Sequence, residues 1–165
     1  MAYTIISPQL GFTPITTVDT AANPAHALGT IVQAKDPTYG AGEFIYLKGV
    51  ASTALGSWVT YNADDNTTAL LAANAIGPVA VAMAATVADT YGWYQIGGKA
   101  IGKALTAFAD DANVYATSTD GSVDDAVVAG DRVKSAKGAS AVGTPSAGLA
   151  EFEIARPSMD DGLAA

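Results

Sequence analysis

The chain has no cysteine, and that absence removes a disulfide framework, a thiol nucleophile and a thiolate metal site. It has a single histidine, His26, set in Asn23-Pro24-Ala25-His26-Ala27 without a companion that would make it a general base. Charge is scarce: 15% of the residues are Asp, Glu, Lys or Arg, against about 25% in ordinary soluble domains. Basic residues are scarcer still, 8 against 16 acidic ones, for a net charge of −8. That balance argues against nucleic acid as a partner, which wants a basic footprint, and against attraction to an anionic membrane. No basic segment followed by an apolar run marks a secretory signal peptide. Neither a nucleophile-elbow motif nor a phosphate loop occurs; Gly97-Gly98-Lys99 lacks the preceding glycine spacing and a following Ser or Thr.

What the chain does have is enough length for one domain with a real core, at 165 residues, and a hydrophobic content of 50%. Mean hydropathy is +0.25. Up to Ala34 the sole charged residue is Asp19, and between Lys48 and Asp89 only Asp64 and Asp65 carry charge. Such a surface is either neutral and hydrated through Thr, Ser, Asn and Gly, or covered by other subunits. The uncharged run from Ala69 to Ala88 is not read as a membrane span. It contains Asn74 and Gly77-Pro78, is mostly alanine, and alternates with period two in its second half.

The stretch from Gly77 to Gly102 organises the pattern. Val79, Val81 and Met83 alternate with Ala80, Ala82 and Ala84, a strand signal, with Pro78 in the first-residue position that a strand tolerates. After the break at Asp89-Thr90-Tyr91-Gly92, Trp93 and Gln95 share one face, and Tyr94 and Ile96 share the other with Ala100. These read as two adjacent antiparallel strands with one large apolar face and one Ala/Gly face that another backbone can approach. Further strands are expected at 29–34, 43–50, 56–61, 112–117 and 149–155, separated by Asp, Asn, Gly and Pro turns. Residues 67–75 fit a turn or two of helix or a strand, 123–133 are ambiguous, and 137–148 read as a loop. The expected fold is all-β, a compact sandwich or barrel of short antiparallel strands with an extended N-terminal arm. The arm covers 1–28, the β domain 29–157, and a mobile C-terminal tail 158–165. Apolar residues of the arm, among them Tyr3, Ile5, Ile6, Leu10, Phe12 and Ile15, must be buried somewhere, either along their own domain as an edge strand or across a neighbouring molecule.

Two constellations are candidates for chemistry. The pairs Asp64-Asp65, Asp110-Asp111, Asp124-Asp125 and Asp160-Asp161 read as solvated turns, with a cation site as the competing reading. Trp58, Trp93, Tyr46, Tyr61, Tyr91 and Tyr94 read as core and cross-strand pairs, with a sugar-stacking platform as the alternative. No catalytic residue, cofactor-binding residue or metal ligand is assigned, and the chain is expected not to be an enzyme.

Several segments carry a likeness: Asp36-Pro37-Thr38-Tyr39-Gly40-Ala41-Gly42-Glu43-Phe44-Ile45-Tyr46-Leu47, then Gly49-Val50, Gly56-Ser57-Trp58-Val59-Thr60-Tyr61, Gly77-Pro78-Val79-Ala80-Val81-Ala82 and Gly92-Trp93-Tyr94-Gln95-Ile96-Gly97-Gly98-Lys99-Ala100. Across roughly residues 29–155 the chain resembles the decoration, or cement, proteins of tailed-phage heads. The resemblance implies a β-rich structural virion protein on the outer surface of the head, often a homotrimer, that bridges major capsid protein subunits. The arm residues named above would then be capsid or subunit contacts. A carbohydrate- or receptor-binding β-module on a virion or cell surface is the alternative expectation.

Overall fold

A computed structural model describes residues 1, 3–6 and 11–159. The strands are β1 (Thr4–Ile5), β2 (Ile31–Asp36), β3 (Gly40–Lys48), β4 (Trp58–Tyr61), β5 (Thr68–Leu70) and β6 (Val79–Ala82). They continue as β7 (Tyr91–Lys103), β8 (Asn113–Ala116), β9 (Val123–Asp124), β10 (Arg132–Gly138) and β11 (Leu149–Met159). Among the described residues there is no helix. All 11 strands belong to one sheet, in the order β1-β2-β3-β7-β11-β10-β8-β9, with β6, β4 and β5 branching from β7. Every pairing between these strands is antiparallel. The path begins at β1 and ends at β9 without joining them, so the barrel expectation is corrected: the sheet is open.

β7 is the 13-residue spine of this sheet. It pairs with β3 from Tyr91 to Gly98, with β11 from Gly97 to Lys103, and with β6 at Tyr94 and Gln95. The two strands expected to be adjacent, β6 and β7, are so. Trp93 packs with Phe44, Tyr46 and Val32 on one face, whereas Tyr94 and Ile96 pack with Ile45, Leu47 and Val59 on the other. Glu43 pairs with Gly97 but Phe44 with Gln95, so β7 carries one extra residue, a bulge at Ile96. The bulge shifts the alternation by one. Ala100 therefore parts from Tyr94 and Ile96 and joins Trp58 and Phe152 in the largest cluster. Gln95 straps the irregularity: its Nε2 donates to the carbonyls of Gly97 (3.0 Å) and Lys99 (3.1 Å).

The alanine face of β6 also finds a different use from the one expected. Ala80 and Ala82 are buried against Leu47, Val59 and Tyr94 of the same chain, while Val79 and Val81 pack on Trp58, Phe152 and Ile154. The small side chains make room for large ones of their own fold, so this face is not open to another molecule.

Other boundaries move as well. The 67–75 segment contributes β5, and β10 emerges from a region read partly as loop. Arg156-Pro157 does not end the last strand. β11 runs on to Met159, whose side chain is buried in the core, so residues 158–159 belong to the sheet and not to a tail. Residues 160–165 lie outside the described residues. The strand survives because β10 and β11 both kink: Ser135 (φ 59°) and Arg156 (φ 50°) adopt left-handed backbone where the β10–β11 register shifts.

Gly98 holds the spine and its neighbour together. Its φ is +94°, and a Cβ there would overlap the carbonyl oxygen of Ala41 on β3. Gly98→Ala should cost at least about 2 kcal/mol, from backbone strain plus the clash. A urea titration checks this; an unchanged midpoint would show that β3 and β7 can separate locally without penalty.

Candidate interaction surface

The N-terminal residues come first, because the sequence assigns contacts to them. Tyr3 packs edge-on against Phe44 with ring centroids 4.9 Å apart. Its hydroxyl donates to the carbonyl of Lys99 (3.3 Å), and burial, aided by the nearby Asp36 carboxylate, pushes its pKa up to about 12. Ile15 is 1% exposed within the same cluster. Tyr3 and Ile15 are therefore core residues of their own chain, not free contact residues. Ile5 and Phe12 are half-buried against that cluster, Ile6 is exposed, and Leu10 lies outside the described residues. Packing along the chain's own domain describes Tyr3, Ile5, Phe12 and Ile15.

Asp19, the lone charge of the first 34 residues, fastens this segment down. Its backbone exchanges both hydrogen bonds with Tyr91, each 2.8 Å. Its carboxylate accepts the Tyr46 hydroxyl (2.7 Å) and the backbone N–H groups of Ala21 (2.9 Å) and Ala25 (2.7 Å). The Tyr46 hydrogen bond, with help from the two backbone donors, holds the Asp19 pKa below its usual value, while burial and the Asp19 carboxylate push Tyr46 up. His26 sits over this junction. Its ring lies 5.0 Å from Phe12, 5.0 Å from Tyr46 and 5.6 Å from Trp93, and its Nε2 accepts the Thr13 N–H (3.1 Å). It is a packed aromatic element of the seam.

The aromatic set does not form a platform. Trp58, Trp93, Tyr46 and Tyr94 are fully buried, and Tyr61 and Tyr91 are half-buried. Asp64-Asp65 and Asp110-Asp111 lie in turns, where Asp65 accepts the N–H and hydroxyl of Thr67 and Asp111 pairs with Lys137 at 2.7 Å; Asp124 lies in β9, and Asp125 makes a long-range bond, accepting the Ala109 N–H. Asp160-Asp161 lies outside the described residues. Among the described residues no group of three His, Cys, Asp or Glu side chains gathers in a way that would hold a metal.

Two surface features remain. A groove of about 480 Å³ crosses β2, β3, β7 and β11, floored by Ala41, Gly42, Gly97, Gly98 and Ile154. The kink at Arg156 swings its guanidinium over this groove, where Nε donates to Glu43 Oε2 at 3.2 Å. The second feature is the loop between β9 and β10. Ala126, Val127, Val128 and Ala129 are all exposed there, while Asp131, at its far end, is buried. Neither feature carries a sequence motif; both depend on backbone geometry.

The chain matches no family model and no curated protein sequence.

The Asp19 junction gives a pH signature. A carboxyl held below its ordinary value of 3.8 contributes stability that is fully present above that value and is lost as pH falls through the lowered one. Asp19→Asn should lower stability at neutral pH by about 1–2 kcal/mol, since the charge is lost and one of the two accepting oxygens becomes an NH2 group facing the donors that the carboxylate now satisfies. The gap between variant and parent should narrow as pH falls below 3.8. Denaturant unfolding at pH 7 and pH 3 measures both; an equal gap at the two values would refute the assignment.

Proposed function

We propose that this chain is a structural decoration protein of a phage head, bound to the outer surface of the capsid lattice and bridging major capsid protein subunits. The observation that carries the reading is the assembly of the segments that bear the resemblance. Residues 36–47, 56–61, 77–82 and 92–100 supply β3, β4, β6 and most of β7, and these strands pair in the order β3-β7-β6-β4. The scattered sequence likeness thus corresponds to one contiguous structural unit. The scarcity of surface charge supports the same reading, because a protein that works by lying against others has less need of an ionic exterior. The carbohydrate-binding alternative has weaker support, since the large aromatic rings it needs face inward.

The mechanism is mass action. A protein that binds the assembled lattice and not the free subunit lowers the free energy of the assembled state, by about 2.7 kcal/mol per site at a hundredfold excess over Kd. Many copies make the total large while each contact stays modest. Binding outside the shell also fits a charge of −8, as the protein need not meet packaged DNA.

Titration of the purified protein onto stripped heads, followed by rupture temperature, tests the proposal. Rupture temperature should rise and saturate; no rise at saturation overturns it. We further propose a homotrimer, on the resemblance and the low surface charge, the alanine face of β6 now being accounted for internally. Light scattering during size exclusion should give about three chain masses, and a monomer at micromolar concentration would refute a preformed trimer.

A further inference from the structure

The loop between β9 and β10 inverts the usual distribution of side chains. In Asp125-Ala126-Val127-Val128-Ala129-Gly130-Asp131 the apolar residues face solvent: Val127 is 80% exposed and Val128 46%, while Asp131 is 3% exposed. Burial energetics favour the opposite arrangement. The loop is held in this state from both ends. Asp125 Oδ2 accepts the Ala109 N–H at 3.0 Å. Asp131 Oδ1 accepts the Asn74 N–H at 2.5 Å, and the Asp131 carbonyl accepts the Ala116 N–H at 2.7 Å. The Asn74 bond also ties this loop to its neighbour, which displays Ile76 at 72% exposure. Both loops are therefore fixed by hydrogen bonds to other parts of the chain while their apolar side chains stay outside, and no sequence motif accounts for it.

We infer that this tip is where the protein inserts into its partner, and, resting on the capsid reading above, that the partner is a capsid subunit offering an apolar slot with a basic rim. Charge sets the rim. At the tip the accessible acids are Asp120, which is exposed, and Asp124 and Asp125, which are half-buried; Asp131 is buried, and Arg132, exposed where β10 begins, is the base that follows them. A second copy of this chain has 8 basic residues against 16 acidic ones, so a basic rim is more readily supplied by a different protein, and the homotrimer proposed above would use another surface. The geometry is that of a preorganised anchor: the loop is already ordered, so seating the valines costs little conformational entropy.

The test uses the full chain and stripped heads. Val127→Ser/Val128→Ser should leave the melting temperature of the free protein unchanged, since both sites are exposed, and weaken head binding about tenfold or more. Asp124→Asn, which keeps the acceptor but loses the charge, should weaken binding a fewfold at low salt, with the difference vanishing at moderate salt. If the parent protein fails to bind heads, the capsid reading falls and this inference with it. If the parent binds and the valine variant binds equally well, the tip inference alone is overturned. Loss of self-association in the valine variant, with head binding per chain unchanged, would make a second copy the occupant and overturn the capsid slot. Unchanged or tighter binding by Asp124→Asn would overturn the basic rim.

Discussion

The structure depends on burying both faces of β7 at once. A strand exposed on one face tolerates some slippage; one covered on both faces cannot move by a single residue without turning every side chain to the wrong environment. The register is fixed by three local devices acting together. Gly98 takes a left-handed φ against the Ala41 carbonyl, the extra residue at Ile96 resets the alternation, and the Gln95 amide ties the carbonyls of Gly97 and Lys99. With that register set, β3, β6 and β11 each find one possible pairing. The three apolar clusters then follow, because each takes its residues from strands that these pairings bring together.

The N-terminal segment closes the cluster around Trp93 and Tyr46. Its apolar residues would be enough to hold it loosely, but the position is decided by Asp19. One carboxylate satisfies a buried tyrosine hydroxyl and two backbone amides, and the same residue's backbone pairs with Tyr91. Where charge is this scarce, a single ionised group with several donors carries more structural weight than any exposed ion pair, for which solvent screening leaves little net gain. Among the described contact candidates, packing the segment inward leaves Ile6 exposed and Ile5 and Phe12 partly covered.

The consequence for function is a shift of attention from the N-terminus to the β9–β10 loop. An apolar residue on a loose loop can fold back and hide. One on a loop anchored at Asp125 and Asp131 cannot, and its exposure is then a property of the fold. The same logic applies to the Arg156 kink, where left-handed backbone carries a guanidinium to Glu43 across β7. In both places the backbone, and not the residue types, makes the surface.

The sequence by itself determined the all-β class, the location of most strands and the turns at Asp64-Asp65 and Asp110-Asp111. The reason is that period-two alternation and Asp/Asn/Gly turn chemistry are local and survive without knowledge of neighbours. The inward aromatic rings were legible for the same reason, since Trp58, Trp93 and Tyr94 lie within alternating runs. Tertiary structure decided what alternation cannot express. β10 has only Val133 and Ala136 as buried apolar residues and becomes a strand because β8 and β11 flank it. β11 passes through Arg156-Pro157, which locally reads as a stop, because β10 kinks with it. The bulge at Ile96 moves Ala100 to a different cluster; Gly97-Gly98 marks a break in the strand, but which face Ala100 then takes depends on the pairing with β3. Whether Tyr3 and Ile15 lie against their own sheet, and whether Val127 points outward, are questions of which surfaces meet. Hydrogen bonds between residues far apart in the chain settle them, Asp19 with Tyr46 and Asp131 with Asn74, and such partners are invisible to any reading of neighbours along the sequence.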